Sequence, residues 1–357
     1  MNLTKRLSFT LLLVFLAANV FAQPLQVKIN PRPHIDDPAI LLAIERLQED
    51  LNADLPNIDI FPEGLVRGLA DAAVFANHGA SQRAFGGYDF LNISIGTMLG
   101  IRMPAISELS NISEADDFME EISSIPFGFN IQALNLEAGI NASKFLPLDK
   151  LYLGARFGFT SISSDSAILS AFMSEDMPTF DFSTFQIGAI AKYQLLKGFD
   201  LPLIKWRGII AGSGILYQRT SLGINYPLED LDEGDVVFRN PAVTFDMVIN
   251  TVTIPLEINT AIQLLIFNLS AGVGADLAFG NNNMDIGIGG QVWHDSEGTV
   301  ADAALNAGGS KGPSLLNPKL MANLGFKFGP VFIDVPITYY FTGGMGVSLG
   351  FTIGAAF

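Results

Sequence analysis

The chain has 357 residues, a net charge of −16 and no cysteine, and 49% of its residues are hydrophobic. The lack of cysteine excludes a disulfide scaffold, a lipidated N-terminal cysteine and a thiolate metal site. The acidic balance argues against a nucleic-acid partner, because nucleic acid binds to an electropositive face.

The N-terminus has the pattern of a signal peptide. Lys5 and Arg6 precede the apolar run 7–20, which is too short to span a bilayer comfortably as a helix, and the small residue Ala22 follows. We therefore predict a signal peptide over residues 1–22, with cleavage after Ala22.

Residues 23–84 are predicted to form a short helical segment. Asp37 followed by Pro38 is typical of a helix start. The apolar residues that follow at helical spacing are Ile40, Ile44, Leu47 and Leu51. A second helix is predicted over 64–76. Ahead of a barrel, two such helices form a plug in the lumen, a cap at the periplasmic end or a hairpin lying on the membrane, and the sequence leaves these placements open.

From about Phe85 the hydrophobic period changes to two. Along 347–357 the odd positions are apolar and the even positions are small or polar, and 151–160 and 269–280 repeat this alternation. In each segment every charge falls on the polar face. A charge on the lipid face near the bilayer midplane costs about 2–4 kcal/mol, whereas a charge facing the lumen need not. Residues 85–357 are therefore predicted to be all-β, a transmembrane antiparallel up-and-down β-barrel.

The alternation predicts ten strands, which cover 91–102, 127–140, 151–160, 185–195, 206–224, 243–264, 269–280, 320–328, 331–341 and 347–357. The polar residues change phase between Ala133 and Leu134, which indicates a β-bulge. The number of strands becomes twelve if 284–293 is a hairpin within an outer loop and 250–251 is a turn.

The connections between these strands alternate in length, as in an outer-membrane barrel. The short connections, predicted to be periplasmic, lie near 145–150, 197–203, 265–266 and 329–330. The long connections, predicted to face outward, lie near 104–126, 161–184, 225–242 and 281–317, with one tight outer turn at 342–344. We expect a multi-pass barrel in the outer membrane of a diderm bacterium, with both termini in the periplasm.

Charged residues on the polar faces are predicted to line the lumen. They are Arg102, Glu137, Arg156, Lys192, Glu257, Asp276, Lys327 and Asp334. Mixed charges in a narrow lumen either pair and obstruct it, or segregate by sign on opposite walls and select ions. The sequence leaves both arrangements open.

Two predicted outer loops are strongly acidic. Their acidic residues include Glu114, Asp116, Asp117, Glu120, Glu121, Glu229, Asp230, Asp232, Glu233 and Asp235. Such loops either attract cations or form a solvated, self-repelling surface. The run 229–235 lacks the ligand spacing and the distal glutamate of an EF-hand loop, so no calcium site is predicted.

The C-terminal Phe357, at the end of an alternating strand, resembles the signal that the outer-membrane assembly machinery recognises in barrels. The predicted partners are this machinery and outer-membrane lipids, with small solutes or host surface proteins as ligands. No cofactor is predicted.

His294 and Ser296 have the spacing of the base and nucleophile in outer-membrane phospholipases. A two-residue match recurs by chance, and the sequence contains no polar residue that must orient His294. The other histidines, His34 and His78, are far away along the chain, so no metal site is predicted. We expect that the protein is not an enzyme.

Several phrases resemble those of spirochaetal outer-membrane barrels: 204–208 (IKWRG), 214–218 (GILYQ), 254–257 (IPLE) and 272–276 (GVGAD). That group includes the leptospiral surface-adhesin family, whose members are reported to bind host extracellular matrix. The resemblance implies the fold, the location and adhesion, and it carries over no binding residue.

Taken together, these features predict a narrow pore for small solutes, biased toward cations by acidic outer loops. The first alternative is a surface adhesin that uses the barrel only as a membrane anchor. The second alternative is an outer-membrane lipase that acts through His294 and Ser296.

Overall fold

The structure, a computed structural model, describes residues 28–33, 35–54, 63–77, 90–104, 127–145, 150–164, 179–228, 230–233, 236–342 and 344–357. The predicted signal peptide lies outside this part of the chain. In the described ranges, no helix is long and apolar enough to cross a membrane.

Strands dominate the described residues. The helices are α1 (Pro38–Asp54), α2 (Glu63–Ala76) and a short 3-10 helix at Ala142–Lys144. The strands are β1 (Lys28–Pro31), β2 (Leu91–Met103), β3 (Gly128–Asn141), β4 (Leu151–Ser163), β5 (Thr179–Leu196), β6 (Phe199–Asp200), β7 (Ile204–Pro227), β8 (Leu231–Glu233), β9 (Val236–Leu264), β10 (Phe267–His294), β11 (Gly298–Lys311), β12 (Leu316–Phe328), β13 (Val331–Tyr340) and β14 (Met345–Ala356).

Helix α1 begins where its sequence predicts. The Asp37 carboxylate accepts a hydrogen bond from the backbone N–H of Ala39 at 2.8 Å, which satisfies a donor that the first turn leaves free. Ile40, Ile44 and Leu47 are buried along one side of the helix, as the helical spacing predicts.

In the described residues, ten strands form a closed antiparallel ring in the order β2, β3, β4, β5, β7, β9, β10, β12, β13, β14. The ring closes where β14 pairs with β2, from Met345 opposite Met103 to Ala356 opposite Asn92. The predicted ten-stranded barrel is therefore confirmed. The twelve-stranded alternative is wrong, because β9 continues unbroken through 250–251 and pairs there with β10.

The barrel wall is apolar outside and polar inside. In β14, Leu349, Phe351 and Ile353 are 45%, 49% and 42% exposed, whereas Ser348 and Thr352 are buried in the lumen. Soluble proteins rarely carry an apolar surface of this extent, and a lipid bilayer covers it without cost.

The predicted bulge in β3 is confirmed. Two residues of β3, Ala133 and Leu134, stand opposite one residue of β2, Thr97. Both are exposed on the outer face, while Gln132 and Asn135 on either side are buried. The extra residue thus keeps both amides in the lumen despite their opposite parity.

The two ends of the barrel differ. At the long-connection end, β2, β4 and β7 finish and β3, β5 and β9 begin; at the short-turn end, β3, β9 and β12 finish and β4, β10 and β13 begin. Phe357 lies at the short-turn end, where its carbonyl oxygen accepts hydrogen bonds from the backbone N–H groups of Phe90 and Leu91. Lys28, the first described residue, pairs with Ala304 of β11 at the opposite end. Residues 23–27 lie outside the described part of the chain, and the periplasmic location of both termini stays a prediction.

That extension comes from two long strands. β9 and β10 contain 29 and 28 residues, whereas β2 contains 13. β10 pairs with β12 over 267–277 and with β11 over 282–294, and β11 then pairs with β1. The loop predicted over 281–317 is therefore wrong for most of its length. Its glycines and asparagines have low β-propensity, and pairing with β9 stabilises these strands instead.

We call β1, β8, β11, the parts of β9 and β10 beyond the ring, and α1 the platform. The platform has its own hydrophobic core, in which one side of α1 packs against the sheet. The buried residues of this core are Ile29, Ile35, Ile40, Ile44, Leu47, Val236, Phe238, Val292, Val300, Ala301 and Ala303.

Candidate functional site

Helix α2 lies inside the barrel lumen. It contacts β2 and β3 on one wall and β9 and β10 on the opposite wall. Every side chain from Ala70 to Asn77 is fully buried. A helical segment whose side chains are buried on every side must be enclosed by other parts of the protein. Here the strands of the ring enclose it. Of the placements that the sequence left open, α2 therefore occupies the lumen, while α1 lies on the platform.

Small residues allow the helix to fit. Gly100 on β2 lies so close to α2 that a Cβ atom at this position would overlap the backbone of Ala72 and Ala76. A Cβ atom at Gly68 on α2 would likewise overlap the backbone of Phe127, which immediately precedes β3. Helix and wall therefore meet at backbone distance, which only glycine permits.

One large side chain anchors the last turn of α2. The Phe75 ring stacks on Tyr340 of β13, with 4.0 Å between the ring centroids and 16° between the ring planes. Gly346 on β14 leaves room for the Phe75 ring, which a Cβ atom there would overlap. The helix thus contacts β13 and β14 as well as β2.

Buried hydrogen bonds hold both ends of α2. The Asn282 amide on β10 donates to the carbonyl oxygen of Val66 at 2.9 Å, near the long-connection end. The Gln186 amide on β5 donates to the carbonyl oxygen of Asn77 at 2.6 Å, and the Asn77 amide donates to Thr253 Oγ1 on β9 at 3.3 Å. These bonds satisfy polar groups that burial would otherwise leave without water.

Beside the helix, side-chain amides bridge the lumen from β3 to β7. Gln132 Nε2 donates to Gln218 Oε1 at 2.8 Å, and Asn130 Nδ2 donates to Thr220 Oγ1 at 2.9 Å. β3 and β7 are separated in the ring by β4 and β5. These bonds therefore cross the interior of the barrel.

Below α2, several of the predicted lumen charges form ion pairs. Arg156 Nε lies 2.8 Å from Glu137 Oε2. Lys319 Nζ lies 2.5 Å from Glu257 Oε1 and 2.7 Å from Asp276 Oδ1. Opposite charges are thus neighbours, and of the two arrangements that the sequence left open, these residues adopt pairing.

The other predicted lumen residues occupy several environments. Asp334 is buried and accepts a hydrogen bond from Asn323 Nδ2 at 3.1 Å. Lys192 is also buried, with its Nζ atom 5.8 Å from the centroid of the Tyr152 ring. Lys327 is half-buried near the short-turn end. The remaining one, Arg102, is buried beside α2.

The Arg102 side chain faces an acid on α2. Its Nε atom lies 3.4 Å from Asp71 Oδ2, and Asp71 also accepts hydrogen bonds from the backbone N–H and the hydroxyl of Ser314. Sequence reasoning missed Asp71, although an aspartate within the otherwise apolar run 69–76 was a usable signal.

Lys319 and Asn77 were missed as well. Lys319 immediately precedes Leu320, where the predicted strand begins, and its polar parity with that strand would have placed it in the lumen. For Asn77, just after the end of α2, the sequence offers no signal that distinguishes it from an ordinary helix end.

Most of the predicted acidic loop residues lie outside the described residues. These are Glu114, Asp116, Asp117, Glu120, Glu121, Glu229 and Asp235. Asp232 and Glu233 are in β8. Asp230 is exposed, and its carboxylate accepts a hydrogen bond from the backbone N–H of Asn240 at 2.8 Å. Within the described part of the chain, no group of three or more acidic or histidine side chains could hold a metal ion.

The tight turn between β10 and β11 forms the tip of the platform. Here the Arg239 guanidinium carbon lies 3.6 Å from the centroid of the Trp293 ring, a cation–π contact. Ser296 Oγ lies 3.0 Å from His294 Nδ1 within the same turn. Among the described residues, no carboxylate is hydrogen-bonded to the His294 ring, so the pair lacks the orienting group of a catalytic triad. The expectation that the protein is not an enzyme stays a prediction.

Phe357 is 58% exposed at the short-turn end, as expected for the last residue of a membrane strand. Recognition of this residue by the assembly machinery stays a prediction.

Comparison with known proteins identifies the family. The chain is similar to the translocator domain of the autotransporter NalP from Neisseria meningitidis, with a TM-score of 0.35 and 10% identity over 75% of this chain and 89% of that chain. It is also similar to the outer membrane protease OmpT from Escherichia coli, with a TM-score of 0.32 and 10% identity over 74% and 94%. No curated protein has a sequence that matches this chain. The model of the Lsa36-like family matches residues 35–355, which include α1, α2 and the ring. The chain therefore belongs to the Lsa36-like family, a leptospiral surface-adhesin-like family, as its sequence phrases predicted.

Proposed function

We propose that this outer-membrane barrel is a surface-binding protein, in which the ring is the anchor and the platform binds a host surface protein. The platform is the observation that carries the proposal, because β9, β10 and α1 build a second hydrophobic core beyond the ring. Strands of 10 to 13 residues, such as β13 and β2, are long enough to span a bilayer. The additional length of β9 and β10 contributes nothing to spanning and is available for binding.

The tip of the platform has the residue types that dominate binding energy at protein interfaces. Tryptophan and arginine are enriched among the residues that contribute most binding energy at protein interfaces. At the tip, Arg239 is stacked on the ring of Trp293. Asp295 and Glu297 beside them are exposed, so the tip is acidic and suits a basic segment of the ligand. The family relationship favours a ligand of the extracellular matrix.

The filled lumen favours this proposal over a pore. Helix α2 and the bridging amides occupy the lumen near the long-connection end. The ion pairs occupy the lumen below α2. The narrow cation-biased pore stays a prediction, supported by the charges that line the lumen below α2.

Binding to immobilised extracellular-matrix proteins tests the proposal. We expect the double variant Trp293→Ala/Arg239→Ala to bind at least about tenfold more weakly than the unmodified barrel, as for loss of an interface anchor. The chain contains two tryptophans, so Trp206→Ala at the short-turn end is the matched control and should bind normally. Heat-dependent migration on gels checks that each variant has folded. Equal binding by the unmodified protein and the double variant would reject the tip as the binding surface.

Planar-bilayer conductance separates binding from transport. We expect no discrete steps from the intact barrel, and steps after deletion of residues 63–77 from the refolded protein. Discrete cation-selective steps from the intact barrel would instead support the predicted pore.

A further inference from the structure

We infer that the barrel serves as the export conduit for its own N-terminal segment, residues 28–77, which threads through the lumen and folds on the outer side. The inference rests on the orientation used in the proposed function, with the long-connection end facing outward. It adds an activity to that function, because the ring then carries part of the platform across the membrane.

The described chain starts at one end of the barrel and reaches the other. β1 pairs with β11 at the long-connection end, and α1 packs against the sheet of the platform there. α2 then enters the lumen, from Val66, bonded to Asn282, down to Asn77, bonded to Gln186. The chain reappears at Phe90, at the short-turn end beside Phe357. From residue 28 to residue 90 it therefore passes from one end of the barrel to the other.

The wall around the end of α2 is closed. The ring is continuous from β2 round to β14, so Asn77 lies inside a wall of paired strands. A chain extends by at most about 3.5 Å per residue, and β2, which spans the same wall, has 13 residues. Residues 78–89 are thus long enough to join Asn77 to Phe90 along the axis of the barrel.

The composition of the segment suits passage through the lumen, and the platform core holds it afterwards. The segment has no cysteine, so no disulfide fixes a bulky fold before passage. The part that stays in the lumen carries small residues, including Ala70, Ala72, Ala73 and Ala76. On the far side, Ile40, Ile44 and Leu47 become buried in the platform core. Because this apolar surface becomes buried only on the outer side, its burial favours passage in that direction without another energy source.

Labelling of single cysteines tests the inference, because the chain has none of its own. Glu45→Cys and Arg46→Cys place thiols on the exposed side of α1, Asp295→Cys marks the platform tip, and Lys197→Cys marks the short-turn end; all four positions are exposed. Intact cells are treated with a membrane-impermeant maleimide, and lysed cells give the total. We expect both α1 cysteines to label in intact cells as fully as Asp295→Cys, and Lys197→Cys to label at least tenfold less until lysis.

The outcomes separate the inference from the proposed function. If Asp295→Cys labels in intact cells but both α1 cysteines label only after lysis, the segment has not crossed and the inference is wrong, while binding by the tip is unaffected. If Lys197→Cys labels in intact cells and Asp295→Cys does not, the orientation is reversed and both proposals fail.

Discussion

The Asp71 carboxylate of α2 lies 3.4 Å from Arg102 Nε of β2, and both side chains are buried in the lumen. The same carboxylate accepts hydrogen bonds from the backbone N–H of Ser314 at 2.7 Å and from its hydroxyl at 3.0 Å. One acidic group therefore joins the helix to a strand of the wall and to the connection between β11 and β12.

We expect Asp71→Ala to lower the free energy of unfolding by about 3 kcal/mol, because a buried guanidinium then faces an apolar side chain. Asp71→Asn keeps an acceptor for Ser314 and should cost less. Urea unfolding in detergent micelles, followed by tryptophan fluorescence, measures both. Asp246→Ala removes an exposed aspartate from β9 and should change stability by less than about 0.5 kcal/mol. Equal losses from both alanine variants would mean that the ion pair does not hold α2.

Lys319 forms ion pairs with two carboxylates in the lumen. We expect Lys319→Met to cost about 3–5 kcal/mol of unfolding free energy, because Glu257 and Asp276 lose the cation between them. Adding Asp276→Asn to the Lys319→Met variant should restore about 1 kcal/mol or more of the free energy of unfolding, since one of the two negative charges is gone.

The control for Lys319→Met is Lys205→Met. Lys205 pairs with Asp200 on the surface, where both side chains are well exposed, so its loss should cost less than about 1 kcal/mol. Strictly additive effects of Lys319→Met and Asp276→Asn on the free energy of unfolding would contradict the coupling between Lys319 and Asp276.

The outer belt should respond to charge according to depth. Phe351 lies near the middle of β14, opposite Thr97, and is 49% exposed. We expect Phe351→Arg to destabilise the barrel by about 2–4 kcal/mol in lipid vesicles. Val331→Arg, at the short-turn end of β13, should cost at most about 1 kcal/mol because the side chain reaches the interface. Denaturant titration in vesicles gives both values, and a larger cost at Val331 would place the membrane elsewhere on the barrel.

The ring could be predicted from sequence because its signal is local. Each strand alternates by itself, and even the bulge at Ala133 and Leu134 is visible as a change of phase between neighbouring amides. The lumen charges followed from the same parity. Among the strand residues that form these ion pairs, Lys319 was missed because β12 begins at Leu316, four residues before its predicted start.

The platform and the place of α2 could not be predicted because their signals are not local. Residues 281–283 are consecutive asparagines, and glycines recur at 287, 289 and 290, so the upper half of β10 resembles a loop until β9 and β11 pair with it. In α2, Gly68 indicates a weak point of the helix in sequence, but in the structure it permits contact with the backbone of Phe127.

The contacts of α2 also bear on how the barrel assembles. Phe75 packs on Tyr340 and against Gly346, while Ala72 lies against Gly100, so the helix rests on both sides of the seam between β14 and β2. These are the last and first strands of the ring, and pairing them requires the longest loop closure within the ring. A helix that precedes β2 and packs on β13 and β14 stabilises this pairing once it has formed. The seam of the ring is thus held from inside by the chain's own N-terminal helix.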